Sequence, residues 1–175
     1  MFITVHKLDA PFENFPGYRF EEKRIQPHPI IADMHIVVDS VPNPWKGKIK
    51  EARGVRIETA NNLSFATREF TVAPGEAIQL TLVNPDVVPH NWALVQPGKD
   101  RAIGEMANQL VADPAGAARQ YVPASDDVLA YTDVVPPKGE FTIYFHAPTR
   151  PGRYPYMCTF PGHWIVMNGT MIVAP

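Results

Sequence analysis

Three side chains that bind soft metal ions stand close together near the end of the chain. Cys158, His163 and Met167 occur in the run YMCTFPGHWIVMNG, spaced five and four residues apart. A thiolate and a thioether combined with imidazole nitrogens select copper, and two His and one Cys with a weak axial Met form the electron-transfer type of copper site. The spacing therefore predicts a copper site that a second histidine completes.

That second imidazole is predicted to come from His90, in the run PHNWALV. His90 follows the apolar, strand-like run QLTLVNP and lies far from Cys158 in sequence, so it belongs to a different strand. We therefore predict His90, Cys158, His163 and Met167 as the four metal ligands. Free Cys and Met also serve as core filler, but the Pro-Gly pair before His163 makes a turn that suits a ligand loop.

The composition is that of an ordinary globular chain. Its 175 residues are 45% hydrophobic and 19% charged, with a net charge of −2, which predicts one domain with room for an appendage. The absence of a Lys/Arg block argues against nucleic acid as a partner. No run of 18 apolar residues occurs, so no membrane span is predicted. The chain does not start with a signal-peptide pattern. A single cysteine excludes an internal disulfide.

Short strand-like runs dominate from about residue 54 onward. The 19 prolines argue against long helices. The runs GVRIETA, REFTVA, EAIQLTLV, HNWALV, EFTIYFHA, GRYPYMC and NGTMIVA have strand length and are bounded by turn-forming residues. In EFTIYFHA, Phe141, Ile143 and Phe145 alternate with more polar residues, as in a half-buried strand. This pattern predicts an all-β sandwich or barrel.

One stretch departs from the β pattern. Between Asp100 and Val111, apolar residues fall at helical spacing after a capping-type Asp, and the stretch stops before a proline. It predicts a short helical flap between strands, with Met106 and Leu110 as core residues rather than ligands.

The start of the chain differs in character from the rest. We divide the sequence into a Pro-rich N-terminal extension, residues 1–53, and a copper domain, residues 54–175. The extension contains His6, His28 and His35, but no Cys or carboxylate cluster stands at ligand spacing beside them. Hydrogen-bonded or solvated histidines are therefore favoured over a second metal site.

From about residue 54 the chain resembles a cupredoxin, a type 1 blue copper protein. The run CTFPGH followed by Met167 is similar to the ligand loop of azurin, Cys-x4-His-x3-Met, and His90-Asn91 is similar to the upstream ligand segment. The resemblance implies a Greek-key β-sandwich or barrel that holds one copper ion per chain and shuttles single electrons. It also implies that Asn91 ties the two ligand segments together by hydrogen bonds and that Thr159 follows the ligand Cys as in the family.

The likeness has departures and further implications. Pro89 precedes His90 where azurin has Gly, and azurin has no counterpart of the N-terminal extension. The resemblance implies a redox protein partner such as a cytochrome, docking near His163 and Trp164, and a periplasmic or extracellular location. Four protein ligands would leave no open coordination position, so we do not expect an enzyme.

Other functions are open to the same residues. Cys158 and His163 with Asn91 could form a thiol hydrolase, although Met167 would then have no task. Zinc binding or metal storage is disfavoured because the last 26 residues contain no Asp or Glu. A further alternative is a copper-binding recognition or structural module at the end of a larger secreted redox protein.

Overall fold

Nine short strands and one α-helix make up the part of the chain that the structure, a computed structural model, describes: residues 41–113 and 115–175. The predictions for His6, His28 and His35 lie outside these residues. In chain order the elements are β1 Arg53–Ala60, β2 Ser64–Phe65, β3 Glu69–Val72, β4 Ala77–Val83, β5 Ala93–Val95, α1 Asp100–Gln109, β6 Val128–Tyr131, β7 Glu140–His146, β8 Gly152–Met157 and β9 Asn168–Val173.

The strands form two sheets. One has the order β2-β1-β4-β7 and the other β3-β9-β8-β5-β6. β1 runs parallel to β4 and β3 runs parallel to β9, whereas the other neighbours are antiparallel. Strands adjacent in sequence, such as β3 and β4, therefore lie in different sheets. The predicted all-β Greek-key sandwich with a helical flap is confirmed.

The core lies between the two sheets and follows from the alternation of side chains along the strands. In β4, Ile78, Leu80 and Leu82 are fully buried, and the residues between them are half-buried. From the second sheet Tyr156 and Met171 enter the same core cluster. Burying each large apolar side chain contributes about 1.5–3 kcal/mol, so this alternation accounts for the pairing of the sheets.

The helix α1 covers one end of the second sheet. Ile103, Ala107 and Leu110, at positions i, i+4 and i+7, form its buried stripe, whereas Met106 is 38% exposed. The prediction that Met106 is a core residue is therefore wrong, because it lies at the edge of that stripe. Among the described residues no helix combines the length and apolar character needed to cross a membrane.

Residues just before β1 also pack on the sandwich. Asn43 caps a 3-10 helix, Pro44–Lys46, by accepting from the Trp45 N–H at 2.8 Å. Its amide also donates to the Tyr131 carbonyl at 3.1 Å and to Asp133 at 2.9 Å. The described part of the predicted extension is thus attached to the domain surface by part-buried hydrogen bonds.

The register of β5 against β8 determines which residues meet at the end of the second sheet. The two strands are antiparallel, with Ala93 opposite Met157. The residues that precede β5 and those that follow β8 therefore emerge at the same edge, which brings the His90 segment beside Cys158. His90 is held there by a bridge in which its backbone exchanges hydrogen bonds with Val135.

Candidate metal centre

Three of the predicted ligands meet at this edge of the sheet. One potential ligand atom from each of His90, Cys158 and His163 lies within 4.8 Å of the others. The Cys158 Sγ is 3.8 Å from Nδ1 of His90 and 3.5 Å from Nδ1 of His163. The first two side chains are fully buried and the third is half-buried. The arrangement is a three-donor pocket of one sulfur and two nitrogen atoms.

Burial and hydrogen bonds shift the pKa of the Cys158 thiol in opposite directions. Burial raises the pKa of the Cys158 thiol to about 12, against backbone N–H groups of Asn91 and Phe160 that donate to the sulfur and favour the thiolate. The Asn91 nitrogen is 3.5 Å from Sγ. A buried sulfur that already receives two donors is suited to carrying charge once a cation binds, because metal binding removes the thiol proton.

Asn91 joins the two ligand segments. Its Oδ1 accepts from the N–H groups of Thr159, at 2.7 Å, and Phe160, at 3.2 Å. Its amide donates to the Thr159 hydroxyl at 2.8 Å and to the Gln120 carbonyl at 2.9 Å. Asn91, the residue after His90, thus fixes the two residues after Cys158 by hydrogen bonds, as the resemblance implied.

Asp86 holds the buried imidazole of His90. The Nε2 of His90 is 3.1 Å from Oδ2 of Asp86, and because a carboxylate only accepts, Nε2 carries the proton and donates. The Nδ1 lone pair is left facing the sulfur. Burial lowers the pKa of His90, although the bond to Asp86 acts in the opposite direction, so the ring is neutral and able to bind a metal.

His163 is placed by a turn. The turn consists of residues 160–163, and the His163 N–H donates to the Phe160 carbonyl at 3.0 Å. Gly162 has φ +82°, the left-handed conformation that a Pro-Gly turn requires. Burial, followed by the nearby His90, lowers the pKa of His163 to about 4. This imidazole is therefore also neutral, and it lies closer to the surface than His90.

Comparison with known proteins assigns the family. The sequence model of copper binding proteins of the plastocyanin/azurin family matches residues 53–174. This chain belongs to the plastocyanin/azurin family. Auracyanin-B of Chloroflexus aurantiacus is 32% identical over 128 residues, which cover 71% of this chain and 53% of that protein. The chain thus spans about half the length of auracyanin-B.

Two further relatives have similar identity. Auracyanin-A of the same bacterium is 34% identical over 113 residues, covering 63% of this chain and 67% of that protein. The crystal structure of dithionite-reduced auracyanin from Roseiflexus castenholzii matches 71% of this chain and 99% of that chain, with 34% identity and a TM-score of 0.62. The resemblance to cupredoxins is confirmed.

Copper is the cofactor of this plastocyanin/azurin-family chain. The donor set fits it, because a thiol and two imidazoles within 4.8 Å are soft and borderline groups, whereas a hard cation such as Ca²⁺ or Mg²⁺ prefers oxygen ligands. The nearest carboxylate in the hydrogen-bond network, Asp86, faces the outer nitrogen of His90 rather than the sulfur.

The fourth predicted ligand, Met167, closes the same loop. Its side chain is fully buried, its N–H donates to the His163 carbonyl at 2.9 Å, and its carbonyl accepts from the Cys158 N–H at 3.0 Å. The backbone of Met167 therefore ends the ligand loop at the point where β9 begins. Its role as an axial ligand stays a prediction.

Trp164 lies beside the helix α1. Its indole is half-buried and packs with Ile103 and Met157. The apolar side chains exposed beside it are Ile165, 63%, and Val166, 57%. The glycine at position 104 leaves a space on the helix that the ring occupies, and docking of a partner near Trp164 stays a prediction.

Asp86 is the functional-site residue that the sequence analysis missed. The signal available was an Asp four residues before the predicted ligand His90, in PDVVPH. An Asp-x3-His spacing outside a helix is not specific, and only the fold of residues 84–90 turns the carboxylate back towards the imidazole.

Proposed function

We propose that this protein is a blue copper electron-transfer protein, with His90, Cys158 and His163 as copper ligands and Met167 as a weak axial ligand. The observation that carries the proposal is the convergence of a buried thiol and two imidazole Nδ1 atoms in a chain of a copper-binding family. When bound, copper supplies a centre that exchanges single electrons.

The contribution of the chain is to hold these donors fixed and dry. Asn91 and the amides at the sulfur restrain Cys158 from one side, and the Val135 bridge restrains His90 from the other. Because Cys158, His90 and Met167 are fully buried, water is excluded from most of the site. Rigid, water-free ligands suit a site that must change its charge with little movement.

Optical titration tests this function. Adding cupric ion to the purified protein should produce an intense visible band from the Cys158 thiolate, and one equivalent of reductant should remove it reversibly. The Cys158→Ala variant should keep the fold, measured by circular dichroism, and lack the band. A folded native protein that binds cupric ion without such a band would refute the proposal.

The axial role of Met167 is tested with a matched pair of substitutions. Met167 and Met171 are both fully buried, and replacing Met by Leu nearly conserves volume, at a cost below about 1.5 kcal/mol. Met167→Leu should change the reduction potential and the visible spectrum, whereas Met171→Leu should change neither. Equal behaviour of the two variants would remove Met167 from the ligand set.

We also propose that a redox protein, such as a cytochrome, docks near His163 and Trp164. His163 is the least buried of the three clustered donors, and the exposed Ile165 and Val166 lie on the same loop. Val166→Lys should slow electron exchange with a partner cytochrome and leave the visible band unchanged. Ala73→Lys, an equal charge at the opposite end of the second sheet beyond β3, should have little effect on the rate.

Three further proposals follow from the family and the site. Since four protein ligands leave no open position, the protein acts in electron transfer rather than catalysis, and azide should not alter the visible band. We place it in the periplasm or outside the cell, as cell fractionation would test. We keep residues 54–175 as the copper domain and 1–53 as the extension, and limited proteolysis of the native protein would map where the protected domain begins.

A further inference from the structure

A buried carboxylate stands behind one of the two imidazoles of the copper site. Asp86 is 3% exposed, and its Oδ2 lies 3.1 Å from Nε2 of His90, whose side chain is fully buried. On the other edge of the same ring, Nδ1 lies 3.8 Å from the sulfur of Cys158. The imidazole therefore connects the carboxylate directly to the metal pocket.

The carboxylate is held in this position by a closed set of hydrogen bonds. Its Oδ1 accepts from the N–H of Val87 at 2.6 Å, and the N–H of Asp86 donates to Oδ1 of Asn84 at 3.1 Å. The Asn84 amide donates at 2.9 Å to the carbonyl of Val135, the bridge partner of His90. The segment that carries Asp86 and the segment that carries His90 are thus fixed relative to each other.

The two imidazoles differ in this respect. Among the described residues, His90 is the only histidine within ion-pair distance of a carboxylate. The ring of His163 instead lies 5.1 Å from the rings of Phe160 and His90. One buried negative charge is consequently placed at one side of the site, where screening by solvent is weak.

We propose that Asp86 is a positioning residue that fixes His90 with Nε2 protonated and Nδ1 towards the copper, and whose buried negative charge lowers the reduction potential. A carboxylate behind a ligand imidazole fixes its tautomer and raises its basicity. A nearby anion stabilises the cupric ion more than the cuprous ion, because the cupric ion carries one more positive charge. This inference rests on the proposed copper ligands.

The test compares charge removal at Asp86 with charge removal elsewhere. The copper-loaded protein is equilibrated with ferricyanide and ferrocyanide, and the visible band reports the oxidised fraction. Asp86→Asn keeps the shape and an acceptor, and it should shift the equilibrium towards the reduced protein about tenfold, which is about 59 mV for a one-electron couple. Glu69→Gln, which removes the partner of Arg153 at the far end of β8, should shift it much less.

A second measurement uses the native sequence and does not depend on copper. Nitrogen-15 NMR of the metal-free protein should show His90 as the tautomer with the proton on Nε2. A proton on Nδ1, or an Asp86→Asn shift no larger than that of Glu69→Gln, overturns the proposal. A native protein without the thiolate band would instead refute the copper function itself, so the two failures are distinguishable.

Discussion

Replacing Gly104 by Ala tests how the helix supports the ligand loop. Gly104 lies within α1, and a methyl group on its Cα would be 2.6 Å from Cε2 of the Trp164 indole and closer still to Cδ2. Contacts that short do not occur, so the ring or the helix must move. Trp164 directly follows His163, and the displacement would reach the copper site through one peptide bond.

Two effects of opposite sign decide the outcome. Ala is favoured over Gly inside a helix by about 1 kcal/mol. Overpacking a well-filled site costs about 1–3 kcal/mol, and the indole is packed against Ile103 and Met157, which restrict its movement. Because the clash is severe, we expect the free energy of unfolding to fall by about 1–2 kcal/mol in Gly104→Ala.

A double-mutant cycle with Trp164→Ala separates these effects. Without the indole, the three nearest obstacles to the new methyl group are gone, so Gly104→Ala should then stabilise the protein by up to about 1 kcal/mol. The coupling energy would be about 2–3 kcal/mol. Urea unfolding of the metal-free protein measures it without the contribution of bound copper. If Gly104→Ala stabilises both backgrounds equally, the packing argument is wrong.

Three other substitutions test the frame around the site. Asn91→Ala leaves several buried groups unpaired, so it should reduce the free energy of unfolding by about 3–5 kcal/mol. The control Thr132→Ala should cost much less, because the Thr132 hydroxyl accepts only one bond from a backbone N–H. Denaturant unfolding of both variants would rank the two losses. Ile143→Ala should cost about 2–5 kcal/mol and leave the visible band of the copper protein unchanged, because its fully buried side chain lies in the other sheet. Gly162→Ala, at φ +82°, should destabilise by about 1 kcal/mol and shift the band, whereas Gly54→Ala, with nothing within 4 Å, should do neither.

The sequence was sufficient where structure depends on local pattern. Cys158, His163 and Met167 lie in one short loop, so their spacing alone restricts where they can be. β4 was predicted from its strand length and flanking turns, and β7 from alternating apolar residues. β6, Val128–Tyr131, was missed because its four residues are too few to show the alternation that identifies a strand. β2 has only two residues and exists through its pairing with β1.

Features that depend on distant contacts could not be predicted in this way. The orientation of Trp164 is set by Gly104, 60 positions earlier in the sequence. A Trp beside a ligand loop and a Gly inside a helix each have many explanations alone. The role of Asp86 likewise depends on the chain reversing between residues 84 and 90. Both features depend on contacts that form only in the folded chain, and neither the hydrophobic periodicity nor the spacing of residue types in the sequence predicts them.

The two imidazoles of the site are thus supported by different means. His90 is fixed by a backbone bridge to Val135 and by a buried carboxylate, and a substitution there changes charge while the frame stays in place. His163 stands on a turn whose following residue, Trp164, rests on the helix, and a substitution there changes position. Of these two supports, the segment 84–90 should therefore act mainly on the copper potential, and α1 mainly on the stability of the ligand loop.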